Sequence, residues 1–144
     1  MSIYDEKFVY TDDYKTRNTQ FTKACEHGDI KTVKHLYKNS IIDVSYKDNY
    51  ALCLAAANGH VDVVKYILEN TNIQITNEED NVYRSVYTAI SYAVGNNKKD
   101  VLKLLLSDKR IKPSVVGYEF DFAVDRKNKE SIVMLIEWYN TVML

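Results

Sequence analysis

The sequence is short of punctuation. Four glycines and one proline among 144 residues argue against long flexible linkers, which such residues build. Only two cysteines are present, Cys25 and Cys53. Each falls at a small-residue position of a helical pattern, and both read as buried thiols of a reducing compartment rather than a disulfide. A cytoplasmic location is therefore expected. An excess of one charge is lacking too: 19 basic residues face 20 acidic ones, so the basic stripe of a nucleic-acid binder is absent. No apolar run approaches the ~18 residues of a membrane-spanning helix. The opening MSIYDEKFVY is acidic early and has no apolar centre, unlike a secretory signal. No nucleic acid and no membrane are expected as partners.

Catalytic signatures are missing as well. There is no glycine-rich phosphate loop, no cysteine pairing at zinc spacing, no HExxH and no GxSxG. Cys25 and His27 stand two apart, which on a helix turns them away from each other by about 200°. Asp121 and Asp125 lie four apart beside Glu119; at that spacing like charges mildly repel, and the group reads as a solvated face. No metal, cofactor or catalytic residue is predicted, and the chain is not expected to be an enzyme.

What is present is concentrated in Tyr50–Leu68, YALCLAAANGHVDVVKYIL. Two short apolar runs flank Asn58-Gly59-His60, with glycine where a helix ending in a left-handed residue would place it. Leu52, Ala55 and Ala56 share one helical face, as do Val63, Val64, Ile67 and Leu68. The spacing predicts a helical hairpin that cannot bury its apolar faces alone. Copies of it are found. A shift of 31 positions lays Phe21 on Leu52, Ala24 on Ala55, Cys25 on Ala56 and Gly28 on Gly59. A forward shift of 38 reaches Ile90, Ala93, Val94, Val101, Leu102 and Leu105, and a further 30 reaches Phe120, Ala123, Val124, Ile132, Leu135 and Ile136.

Ala55-Ala56, Gly59-His60 and Val63-Val64 resemble the ankyrin repeat, a unit of about 33 residues. The resemblance covers residues 15–144 and implies an all-α solenoid of about four helix-turn-helix repeats with β-turn fingers, near 15–44, 45–75, 83–112 and 113–144. The stretch DNYALCLAAANGHVDVVKYIL is similar to ankyrin proteins carried by large DNA viruses of amoebae. Thr19 and Thr88 stand at the family's threonine position, where a hydroxyl can cap the first helix. His60 matches the family's loop histidine, a structural place. The family's proline is replaced by Gln20, Ala51, Ala89 and Glu119, and its first-helix histidine by Thr22, Cys53, Ser91 and Asp121. The hydrogen bonds by which that histidine ties neighbouring turns are thereby in doubt. His35, aligned with Tyr66 and Leu104, reads as a packing residue. The hairpin glycine becomes Asn97 and then Lys127, and lysine tolerates the left-handed region less well, so the fourth repeat is expected to be the least regular.

Two segments fall outside the repeats. Residues 1–14 form an extension in which Tyr4 and Phe8 could anchor over the first hairpin. Seven extra residues lie within Thr76–Tyr87; Thr76 and Glu79 have capping-box spacing, so a short helical turn and a solvated finger both fit. At the other end Trp138, Met143 and Leu144 are more apolar than a solvent-facing cap should be. A self-association face and a poorly finished helix both fit there.

The resemblance implies partner binding by the fingers and by the last two positions of each first helix. Carried over, the finger positions are Tyr46, Lys47 and Asn49; Arg84, Ser85 and Tyr87; and Ser114, Val115 and Gly117. The helix-end positions are Glu26 and His27, Ala57 and Asn58, Gly95 and Asn96, and Asp125 and Arg126. Tyr46, Tyr50, Tyr83, Tyr87 and Tyr118 sit in or beside fingers, and tyrosine and arginine are enriched at interface hot spots. Tyr46, Arg84 and Tyr87 are the expected contacts to a protein partner, whereas Tyr50 and Tyr118 are expected to pack finger on finger. Three functions compete on the sequence alone. One is a protein-interaction module. Another is its special case, an inhibitor that occludes an active site with Glu78-Glu79-Asp80. The last is a self-assembling protein, monomer or weak homodimer, pairing through its C-terminal helix around Trp138 and Leu144.

Overall fold

Among the described residues four hairpins, each closed on a left-handed residue, follow one another. The computed structural model describes residues 14–71, 73, 86–111, 113 and 117–144, without the side chains of 86–88, 118 and 119. The readings made for Tyr4, Phe8, the Thr76–Glu79 cap, the Glu78–Asp80 acidic run, Tyr83, Arg84, Ser85, Ser114 and Val115 lie outside the described residues, as do the rings of Tyr87 and Tyr118. Helices α1 (Tyr14–His27) and α2 (Ile30–Asn39) make the first hairpin. Then come α3 (Tyr46–Ala57) with α4 (Val61–Asn70), α5 (Val86–Gly95) with α6 (Lys99–Leu106), and α7 (Gly117–Asp125) with α8 (Lys129–Met143). No strand occurs among the described residues.

One turn recurs. Gly28, Gly59, Asn97 and Lys127 have φ of 71°, 75°, 55° and 54°. In each case the next N–H reaches back five residues: Asp29 to Ala24 O, His60 to Ala55 O, Lys98 to Ala93 O and Asn128 to Ala123 O, at 3.0, 3.0, 2.8 and 3.0 Å. This satisfies a carbonyl that the helix end would leave bare. Lys127 adopts the same conformation as the glycines, so the fourth hairpin is as regular at its turn as the others. The backbone bonds outweigh the left-handed penalty of ~1–2 kcal/mol for a residue with a Cβ. The following helices start with different caps. Asp29 accepts from Thr32 N (3.1 Å) and Asn128 from Ser131 N (3.2 Å), whereas His60 and Lys98 make no side-chain cap.

First helices stack on first helices and second on second, α1–α3–α5–α7 beside α2–α4–α6–α8, with the closest approach in the first row. The residues explain this. Ala24, Cys25, Ala55, Ala56, Ala93 and Ala123 let the first row close up, while Val33, Leu36, Val63, Val64, Ile67, Val101, Leu102 and Leu105 fill the space behind in one continuous core.

The helix starts differ from expectation. Thr19 lies inside α1 rather than at its cap, because the helix begins five residues earlier, and Thr88 likewise lies inside α5. In α1, Asn18 Nδ2 donates to Tyr14 O (2.9 Å) and Thr22 Oγ1 to Asn18 O (2.8 Å). Polar side chains of this kind bond their own preceding turn and so can stay inside a helix. In α3 the right-handed helix starts at Tyr50, because Lys47, Asp48 and Asn49 form a left-handed turn with φ of 51°, 57° and 60°. Asp and Asn are the non-glycine residues that visit this region most readily.

Two stability outcomes follow, each read by chemical denaturation. Ala55→Leu inserts a branched side chain where no space exists and is expected to cost about 1–3 kcal/mol. Lys127→Gly relieves the left-handed penalty, less the unfolded-state entropy glycine adds, and is expected to stabilise by up to about 1 kcal/mol. Destabilisation by the glycine would show that the turn does not hold the conformation described.

Candidate interaction face

The expected helix-end residues form a row set by bonds between hairpins. His60 donates from Nε2 to Glu26 O of the previous first helix at 2.8 Å. Asn128 Nδ2 does the same to Val94 O at 3.0 Å. The His60 ring lies so close over Gly28 that a Cβ there would sit 2.5 Å from Nδ1, and the Lys98 chain lies over Gly59 in the same manner. These contacts bring the C-terminal ends of α1, α3, α5 and α7 into register. Glu26, His27, Asn58, Gly95, Asn96, Asp125 and Arg126 are all exposed there, with Ala57 half-buried.

The row is polar and partly engaged with itself. Asn58 Nδ2 donates to Leu54 O (2.9 Å) and Asn96 Nδ2 to Tyr92 O (2.8 Å), each four residues back, while His27 Nδ1 lies 2.7 Å from Lys23 O. They satisfy carbonyls at the ends of their own helices. At the fourth copy the Arg126 guanidinium lies 5.1 Å over the Phe122 ring.

The second finger supplies the aromatic part. Tyr46 is half-buried, with the Tyr14 ring edge-on at 5.7 Å and Lys47 Nζ over its face at 5.5 Å. Tyr14, absent from the sequence reading, donates its hydroxyl to Asp43. That bond, with some burial and the negative charge of Asp43, raises the phenol above its usual pKa. The finger is held to α1 by Asn18 as well, whose Oδ1 accepts from Asp43 N (2.9 Å), and by Arg17 Nε to Ile41 O (3.2 Å). Asn18 and Arg17 make here the turn-to-turn ties left in doubt by the missing histidine. Thr22, which stands in that histidine's place, bonds its own helix instead.

One expectation is corrected. Asn49 does not face a partner: it is 2% exposed, standing 31 residues after Asn18 and turned inward like it. Its Oδ1 has no hydrogen-bond partner among the described residues. Tyr50 is 40% exposed and starts the right-handed part of α3. Gly117 opens α7 and is exposed. Tyr87 lies in the first turn of α5.

The thiols are no nucleophiles. Cys25 and Cys53 are buried and unpaired. Burial pushes both pKa values up, that of Cys53 to about 12 with a further push from Asp48, so the reactive thiolate is scarce at neutral pH. Among the described residues no group of three His, Cys, Asp or Glu could hold a metal ion, and no helix is long and apolar enough to cross a membrane.

Compared with known families, residues 21–117 match the model of ankyrin repeats in three copies. No curated protein matches the chain.

A thiol reagent at neutral pH is expected to leave both cysteines unmodified in the folded protein and to label both in denaturant. Rapid native labelling of either would contradict the burial that raises their pKa values.

Proposed function

Because the chain belongs to the ankyrin repeat family, whose members are in general protein-interaction modules, we propose that it binds a protein partner on the face made by its fingers and first-helix ends. One observation carries this reading. Ala24, Ala55, Ala93 and Ala123, the position at which all four copies are identical, are buried, whereas the helix-end row, where the copies differ, is exposed. Glu26-His27, Ala57-Asn58, Gly95-Asn96 and Asp125-Arg126 stand at one structural position with four chemistries. A partner recognised there meets charge at both ends of the row and neutral amides in the middle. The tyrosine–lysine cluster of the second finger offers an aromatic anchor of the type that dominates interface energetics. By sequence register Arg84, Ser85 and Tyr87 extend the same finger line. The likeness of 48–68 to ankyrin proteins of large DNA viruses of amoebae supports a cytoplasmic adaptor or inhibitor directed at a host protein.

A second reading, self-assembly through the last helix, is favoured by a separate observation: Val133, Ile136, Tyr139, Val142 and Met143 are exposed on α8.

The first reading is tested by affinity capture with the wild-type chain and two variants. Tyr46→Ala/Arg84→Ala/Tyr87→Ala and Glu26→Ala/Asn58→Ala/Asn96→Ala are both expected to keep helical content and to lose the partners that the wild type retains. Unchanged capture by both folded variants would overturn this assignment of the face.

A further inference from the structure

The first and the fourth hairpins present different outward faces, and the repeat register shows how. Tyr37 meets Tyr66 edge-on at 6.2 Å, so the position of Tyr37 faces the next hairpin and that of Tyr66 faces the previous one. The forward-facing position is filled by Tyr37, Leu68, Leu106 and Ile136. Leu68 and Leu106 are covered, whereas Ile136 is 43% exposed. Cys25, Ala56, Val94 and Val124 share another position; the first three are at most 1% exposed and Val124 is 47%. A third position holds Lys34, Lys65 and Lys103 and then Val133. The fourth hairpin therefore presents at its forward face the apolar residues that its predecessors hide, and replaces the one lysine they share.

The opposite end is closed. Positions that look backwards in later hairpins are occupied by His60, which reaches Glu26 O; by Glu130, paired with Lys99 at 2.5 Å; and by Tyr66. In the first hairpin they are Asp29, Lys31 and His35. This is the polar outer face that a capped repeat array needs.

On α8 the open face becomes a seam. Ile132, Ile136, Tyr139 and Met143 recur at spacings of four, three and four, the pattern by which one helix packs lengthwise on another. The helix also runs five residues beyond the register at which α2 and α4 end, and the extra turn carries Tyr139, Val142 and Met143. Beside the seam a groove of about 450 Å³ is lined mostly by apolar side chains, among them Phe120, Leu135, Ile136, Trp138 and Tyr139, with Asp121 at its edge. Between 131 and 144 the sole charge on a side chain is Glu137.

We propose that this face is covered by the same face of a second copy, α8 against α8, in a two-fold tail-to-tail dimer. Three features select that occupant. The face continues the stacking interface by which each hairpin buries the one before it. The seam residues Ile132, Ile136, Tyr139 and Met143 are uncharged, with Asp121 and Glu137 only at its rim, so an identical copy meets apolar side chains along the axis. Stacking the head of another copy on it in register would set Lys31, at the position of Glu130, against Lys129, at the position of Lys99, and so place like charges in contact. An isologous contact buries apolar on apolar and closes at two copies. The proposal rests on the second reading above, and its failure leaves the finger and helix-end face untouched, since no residue is shared.

The test is sedimentation of the 144-residue chain over a wide concentration range. The mass is expected to rise from 16.7 kDa to twice that value and stop. Ile136→Glu/Tyr139→Glu is expected to hold the mass at the monomer value with unchanged helical content. Val133→Lys restores at an exposed site the lysine of the other three copies, so folding is not at risk; it is expected to weaken the dimer by about tenfold or more. A wild-type chain that stays monomeric, a dimer indifferent to Val133→Lys, or a mass that grows past two copies in head-to-tail fashion would each overturn the proposal.

Discussion

The structure depends on one hydrogen bond made four times, from the N–H after a left-handed residue to the carbonyl five residues back. It fixes how the second helix of each hairpin leaves the first, and so presents both apolar faces to the same neighbour. A short hairpin gains little from its own contacts, because helices of 8–15 residues are marginal in water without packing. The bond leaves each hairpin dependent on the next. Stability is then a property of the row, as in other quasi-one-dimensional arrays.

That dependence explains why the connections between hairpins carry so much polar chemistry. His60 and Asn128 reach back to first-helix carbonyls, Asn18 holds the Asp43 N–H, and Arg110 donates to Leu68 O at 3.0 Å while bonding Asp108. Each bond joins backbone of one hairpin to a side chain of its neighbour. Apolar stacking brings the hairpins together, and these bonds set their register. The exposed helix-end residues inherit that register, so four unrelated side-chain pairs become one row. Variation at the row costs little because those side chains are exposed and, where they bond, satisfy only the ends of their own helices.

The core was legible because burial repeats with the helical period: Phe21, Leu52 and Ile90 are all buried at one position, as the shifts of 31 and 38 require. The hairpin turns were legible from Gly28 and Gly59, and Asn97 and Lys127 follow them by register. Helix starts were less so. Thr19 looks like a cap, yet Asn18 bonds the preceding turn and lets α1 begin at Tyr14. Asn49 falls at a finger position of the repeat, yet it closes the left-handed turn of Lys47–Asn49 and is buried. Backbone rotation of this sort leaves no periodic trace. Tyr14 went unnoticed because its partners, Asp43 and Tyr46, lie about thirty residues away.

The sequence alone determined the repeating unit, the number of copies, the glycine-type turns and the burial of Cys25 and Cys53, since each follows from local period or from a residue whose conformational preference is strong. The tertiary structure decided what faces outward: which polar residues tie hairpins together, which stand free in the row, and that the lysine position of the second helices ends in an exposed valine on an uncovered face. Exposure at a given position depends on whether another hairpin follows it in space. Identical register positions can therefore be core in one copy and surface in the next, a distinction that no window of sequence contains.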